Sequence, residues 1–274
     1  MRRTWIGVIL ISILLTVGCA PYCYYSRGVA HDKKGNFELA IRELSKAIEL
    51  KPGWALLYVA RGNAYGNKGN FYEAIKDYNK AITLDPTFAY AYTERGVTYA
   101  GNGDYERAIR DFNIAIKLDS KNASAYKNRG NAFFYQGRFA LAEADYRAYL
   151  RMKPKNIYRM LWLYIAQERA GKSGLHELSD NIKKADLGKW PGPVASILLE
   201  EISPQELLEK TKDKDQRVEK QRQCEAYFYL GQYYLLKGDK EKAAQMFKLC
   251  LETKVTYYIE YTGAKVELGR MGLE

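Results

Sequence analysis

Two histidines, four cysteines and a recurring arginine are the residues of this chain whose types and spacing could carry chemistry. Neither His31 nor His176 lies in an HExxH, GxSxG or Cys–His context, and no phosphate-binding Walker loop follows a strand pattern. A hydrolase or transferase needs nucleophile, base and charge stabilisers converging in one pocket. Here the carboxylates are plentiful but spread over helix surfaces, and no four-ligand zinc set occurs. The expectation is therefore a protein that is not an enzyme and that uses neither cofactor nor metal. His31 reads as a packing residue and His176 as an exposed or partly buried one.

Cys19 has a different context. Arg2 and Arg3 precede an uncharged run from Ile6 to Val17. A helix that spans a bilayer needs about 20 apolar residues, so this shorter run reads as the core of a signal peptide. It closes on Leu15-Thr16-Val17-Gly18-Cys19, which resembles a bacterial lipobox, although Thr16 stands where leucine is usual. On this reading residues 1–18 are removed, Cys19 takes lipid, 19–26 form a tether, and the chain is held to a membrane without crossing it. Ala20 after the cysteine favours the outer membrane, facing the periplasm. The other reading is an ordinary secretory signal cleaved near Ala20.

Cys224 and Cys250 fall at opposite ends of two consecutive helical segments. Antiparallel packing would bring them together, which leaves two readings open: a disulfide formed after export, or two small buried thiols. The formal net charge is +11, two of which leave with Arg2 and Arg3. That excess suits peptidoglycan, anionic lipid or an acidic partner, or is simply a solvated basic surface. No basic run interleaved with aromatics points to nucleic acid.

The elements that must position these residues announce themselves by a repeat. Gly28, Gly62, Gly96 and Gly130 recur at one constant step, and Gly35, Gly69, Gly103 and Gly137 keep the same step, as do Ala40, Ala74, Ala108 and Ala142. Arg27, Arg61, Arg95 and Arg129 precede the first set of glycines, and at a fixed offset behind each arginine comes an acid: Glu43, Asp77, Asp111 and Asp145. Such pairing predicts an ion pair between the two helices of each repeat; the alternative is a row of arginines facing an anionic ligand. Gly62 lies mid-helix, where a missing side chain lets the partner helix approach. Gly69 ends that helix at a position suited to positive φ, and Pro86 stops the second.

Arg61-Gly62-Asn63-Ala64-Tyr65, Gly69-Asn70-Phe71 and Ala74-Ile75-Lys76-Asp77-Tyr78 through Ala81 and Pro86 together resemble the tetratricopeptide repeat, whose 34-residue period the glycines keep. The implied fold is all-α: a right-handed solenoid of helix hairpins ending in a capping C-terminal helix. Repeats are expected at 21–54, 55–88, 89–122 and 123–156, with a fifth first helix over 157–170. This gives an N-terminal array over 27–171. An irregular helical insertion follows at 172–222, with a helix near 194–201 and another capped by Ser203, with Pro204 and Glu206 in its first turn. Repeat character returns over 223–274, where Gly231, Gly238, Ala243 and Phe247 hold the phase and a last helix from Tyr258 to Met271 closes the stack.

In this family the first helices line a groove that binds peptides and partner helices. The resemblance implies a partner-binding groove at Asn63, Tyr90, Lys127, Asn131, Phe134 and Tyr135. Lys127 and Asn131 match two positions of the clamp that holds C-terminal carboxylates, whereas Glu94 and Trp162 stand where that clamp has asparagine. Tyr227-Phe228-Tyr229-Leu230-Gly231-Gln232-Tyr233-Tyr234-Leu235, with Gly238-Asp239 and Met246-Phe247-Lys248-Leu249, is similar to the NlpI family of outer-membrane lipoproteins. That likeness implies a homodimeric adaptor that recruits peptidoglycan endopeptidases or a periplasmic protease. A pilotin for secretin or type IV pilus assembly, and a lipoprotein of outer-membrane protein assembly, are the alternatives.

Overall fold

The structure is a computed structural model that describes residues 19–183, 187–256 and 258–273, so the signal segment expected at 1–18 lies outside the described residues. Among those residues there are helices and no strands, as the repeat requires. The chain divides into two compact units, Met1–Arg129 and Gly130–Glu274. The division falls inside α7, within the array expected at 27–171.

The N-terminal unit begins with α1 over 19–33, so residues expected as a tether are already helical. It continues with α2 (Phe37–Leu50), α3 (Ala55–Asn67), α4 (Phe71–Leu84), α5 (Ala89–Gly101) and α6 (Tyr105–Leu118), and with the first part of α7 (Ala123–Tyr135). The logic of the repeat is visible at single atoms. A Cβ on Gly62 would lie 2.7 Å from Cε1 of Tyr78, so only glycine admits that ring. Gly69 has φ +90° and turns α3 into α4, a backbone conformation that costs an L side chain strain. Between the helices, Ala55, Val59, Ala74, Tyr78, Ala81 and Ala91 form one buried cluster, and Ala108, Phe112, Ala115 and Ala125 form the next.

The C-terminal unit takes the rest of α7, then α8 (Phe139–Met152) and α9 (Ile157–Arg169), and Gly171 follows with φ +74°. The period then lapses into short helices: α10 (Leu175–Ile182), α11 (Gly192–Leu198) and α12 (Pro204–Glu209). Ser203 caps α12 as expected, with Pro204 in the first turn, and Glu206 reciprocates by accepting from the Ser203 backbone N–H. The repeat resumes as α13 (Gln216–Leu236) and α14 (Lys240–Glu252), and α15 (Ile259–Arg270) closes the unit. At 21 residues α13 runs through the expected boundary at 222/223, because Asp215 caps it upstream by accepting a hydrogen bond from the Arg217 N–H.

Candidate partner-binding surfaces

The recurring arginines build the frame of the N-terminal unit. Arg61 grips Asp77 with Nε and Nη2, each 2.8 Å from a carboxylate oxygen, and Arg95 grips Asp111 the same way at 2.7 Å. Arg27 Nε lies 3.1 Å from Glu43. Asp77 and Asp111 are buried, so removing either arginine would strand a desolvated carboxylate. Three of the arginines make a further contact that the arginine–acid pairing does not suggest. Nη1 of Arg61, Arg95 and Arg129 donates to Ser45 Oγ (2.9 Å), Asn79 Oδ1 (2.5 Å) and Asn113 Oδ1 (2.5 Å), side chains of the preceding repeat. The sequence does carry the signal: Ser45, Asn79 and Asn113 precede their arginines by the same step that separates the arginines from their acids.

Beside this frame α1, α3, α4 and α5 enclose a small concavity of about 310 Å³, lined by Asp32, Asn63, Phe71, Tyr78, Glu94 and Val97 among others. Asn63 is fixed at both ends of its amide: Tyr78 donates to its Oδ1 at 2.8 Å, and its Nδ2 donates to Tyr90 Oη at 3.2 Å. Tyr90 is exposed and Lys127 half-buried. Burial raises the pKa of Glu94, and the Lys127 ammonium opposes that rise. Burial also raises the Tyr90 phenol. Asn63, Tyr90 and Lys127 thus all belong to the N-terminal unit.

The other three expected groove residues belong to the C-terminal unit, and two are not on a surface. Phe134 is fully buried, its ring 4.8 Å from Trp162 and 5.1 Å from Phe139. Asn131 is buried too, its Oδ1 accepting from Tyr146 Oη at 3.2 Å and Arg159 Nη1 at 2.7 Å. Tyr135 donates its hydroxyl to the Ile259 carbonyl at the start of α15 (2.9 Å). The expectation of a groove at Asn131 and Phe134 is corrected: the later helices of the unit use that face as core.

That core is unusually polar. Arg159, Glu225, Glu260 and Glu267 are all buried. Glu225 accepts from Trp190 Nε1 (2.6 Å) and Tyr158 Oη (3.3 Å), and burial and the nearby Glu260 push its pKa up to about 8. Burial likewise raises Glu260, which Trp162 and Tyr229 reach at 3.4 Å. Cys224 and Cys250 meet as the hairpin predicts. Their Sγ atoms lie 3.5 Å apart, buried and unbridged. His176 is exposed with Nδ1 3.2 Å from Asp180, and His31 is half-buried.

A second, larger concavity of about 890 Å³ opens in the C-terminal unit. Its floor is Leu235, Ala244 and Met271, and Arg169, Lys240 and Lys248 stand around it. Glu267, only 1% exposed, anchors one wall by accepting from Arg169 Nη1 (3.0 Å) and Arg270 Nη1 (2.5 Å). Nothing in the sequence period marks this place.

Stacked antiparallel helix pairs with a fixed 34-residue step, and the concavities they carry, define a helical-repeat interaction scaffold. Profiles described as Tetratricopeptide repeat match residues 93–157, 21–54 and 225–254, and one described as TPR repeat matches 62–103. The chain is a tetratricopeptide-repeat protein. Among solved structures, a crystal structure of MamA protein is 27% identical, with a TM-score of 0.51 over 61% of this chain and 90% of that one. A second crystal structure of MamA, also 27% identical, covers 57% and 91% with a TM-score of 0.50. The MamA RS-1 ArsTM double mutant shares the fold at 16% identity, TM-score 0.52, over 60% and 92%.

Proposed function

We propose that this tetratricopeptide-repeat protein is a non-catalytic adaptor, tethered to a bacterial outer membrane through lipid on Cys19. It holds segments of partner proteins on the first-helix face of its N-terminal unit. The observation that carries the binding role is the concavity at Asn63: a side-chain amide locked by two tyrosines beside exposed Phe71 and Val97. Fixed polar groups among apolar ones are what peptide recognition needs, because little side-chain entropy remains to be lost on binding. The tether rests on the lipobox-like sequence and on an exposed Cys19, and no helix among the described residues is long and apolar enough to cross a membrane. By its likeness to the NlpI family, the partners are peptidoglycan endopeptidases or a periplasmic protease, and the adaptor works as a homodimer.

Affinity capture from envelope extracts tests this, with Asn63→Ala/Tyr90→Ala as the control. Endopeptidases or a protease retained by the wild type and lost by the variant are the expected result. Retention of a secretin or a barrel-assembly subunit instead would leave a scaffold but refute the NlpI-like role. Labelling cells with a palmitate analogue, which should mark the wild type and not Cys19→Ser, tests the anchor separately.

A further inference from the structure

The 890 Å³ concavity of the C-terminal unit is chemically unlike the one at Asn63. Two carboxylates, Asp32 and Glu94, line the N-terminal concavity, and among the described residues no cation does. Around the C-terminal one stand Arg169, Lys240, Lys248 and Arg270 against Glu241 and Glu267. Glu267 is already committed to the two arginines, so its charge is neutralised within the wall. Lys240 and Lys248 are exposed and form no ion pair with any described residue. They sit eight residues apart on one side of α14, about 12 Å along the helix axis, with Ala244 between them. Arg169 is held in place through Nη1 by Glu267 and Gln232, and by Phe139 under its guanidinium at 4.6 Å, so its Nη2 is a pre-positioned donor. The floor of Leu235, Ala244 and Met271 is apolar.

From this geometry we infer that the C-terminal concavity is a docking site for an acidic segment of a partner protein, one that lays an apolar side chain on the floor and carboxylates between Lys240, Lys248 and Arg169. Charge complementarity selects the occupant: a neutral apolar segment would leave the lysines without a partner, and a basic one would face a net positive rim. The small Ala244 leaves room for a side chain to enter between the two lysines. This site goes beyond the adaptor reading, since it needs neither the anchor nor the N-terminal concavity.

The test is fluorescence anisotropy on the full chain, with a short labelled peptide that alternates leucine with paired glutamates, and its glutamine and lysine counterparts. The glutamate peptide should bind about tenfold more tightly than the glutamine one, and less tightly as salt rises. Lys240→Glu/Lys248→Glu, two exposed residues whose change leaves the helix intact by circular dichroism, should weaken the glutamate peptide about tenfold and take up the lysine peptide instead. Lys240→Gln/Lys248→Gln should fall between, while Asn63→Ala should bind as the wild type does. Unchanged binding of the glutamate peptide by the charge-reversed variant would overturn the inference. So would inorganic phosphate competing as well as the peptide, because the floor would then play no part. Sedimentation showing that charge reversal dissociates a dimer would assign the surface to a second copy of the chain and also refute it.

Discussion

The N-terminal unit keeps its charges in a periodic frame at the helix contacts; the C-terminal unit buries them in its centre. Asp77 and Asp111 are each matched by an arginine at a fixed offset, and Tyr90 and Val97 on a first helix stay exposed. In the C-terminal unit Glu225 and Glu260 share a core with Trp162, Phe228 and Tyr229, and the first-helix face that carries Asn131 and Phe134 is covered. The same repeat positions therefore do opposite things. What differs is what packs onto that face: in the C-terminal unit Arg159 and Trp162 of α9 close over Asn131 and Phe134, and α15 meets Tyr135.

Mutations that act on one unit alone would sharpen this contrast, and the largest effect belongs to the C-terminal core. Trp162 is fully buried and stacked at 5.2 Å on Phe228. Trp162→Ala should cost about 4 kcal/mol, seen in urea unfolding as early loss of the C-terminal unit while the N-terminal transition holds its midpoint. If both transitions move together, the two units do not unfold separately and the comparison fails. Next, Arg61→Ala strands the buried Asp77 carboxylate and should cost about 3 kcal/mol, this time in the N-terminal transition. Adding Asp77→Ala should recover much of it, as a double-mutant cycle would show.

A smaller, graded effect comes from pH. Glu225 is ionised in the unfolded chain above its ordinary value of 4.5 but stays protonated in the fold up to about 8. The unfolded state therefore holds fewer protons, and stability of the C-terminal unit should fall as pH rises between those values, by no more than about 1.4 kcal/mol per pH unit. Glu225→Gln, which can still accept from Trp190 and Tyr158, should flatten that slope; a slope unchanged by the substitution would clear Glu225 of responsibility. Smallest of all, Asn63→Ala should cost the N-terminal transition about 1 kcal/mol and leave the C-terminal one in place, because it removes the acceptor of the buried Tyr78 hydroxyl, whereas its bond to Tyr90 is exposed.

Much of the fold could be read beforehand, because glycine and arginine positions report local constraints. Gly62 answers to the Tyr78 ring on the next helix, Gly69 to its own φ, and Ser203 to the Glu206 N–H. The site was less legible. Periodicity says which side of a helix a residue occupies, and it placed Asn63 and Tyr90 where a partner could reach them. It cannot say that Arg159 and Trp162 will close over Asn131 and Phe134, so these two read as groove when they are core. Glu225 and Glu260 looked like ordinary helix-surface charges for the same reason. The cationic concavity needs Arg169, Lys240 and Met271 brought together from distant parts of the chain, and no spacing encodes that meeting.

The third contact of the repeat arginines has a consequence for how such a chain can grow. Arg61 and Arg95 each hold their own repeat by the acid and the previous repeat by Ser45 or Asn79, so the second and third repeats each carry both a plug and a socket, whereas the fourth has Arg147 in the socket position. A duplicated module inserted in phase arrives compatible with either neighbour, and one cut at any other length leaves a guanidinium on one side and an empty amide on the other. The array can be lengthened like a chain of identical couplings, in whole links only.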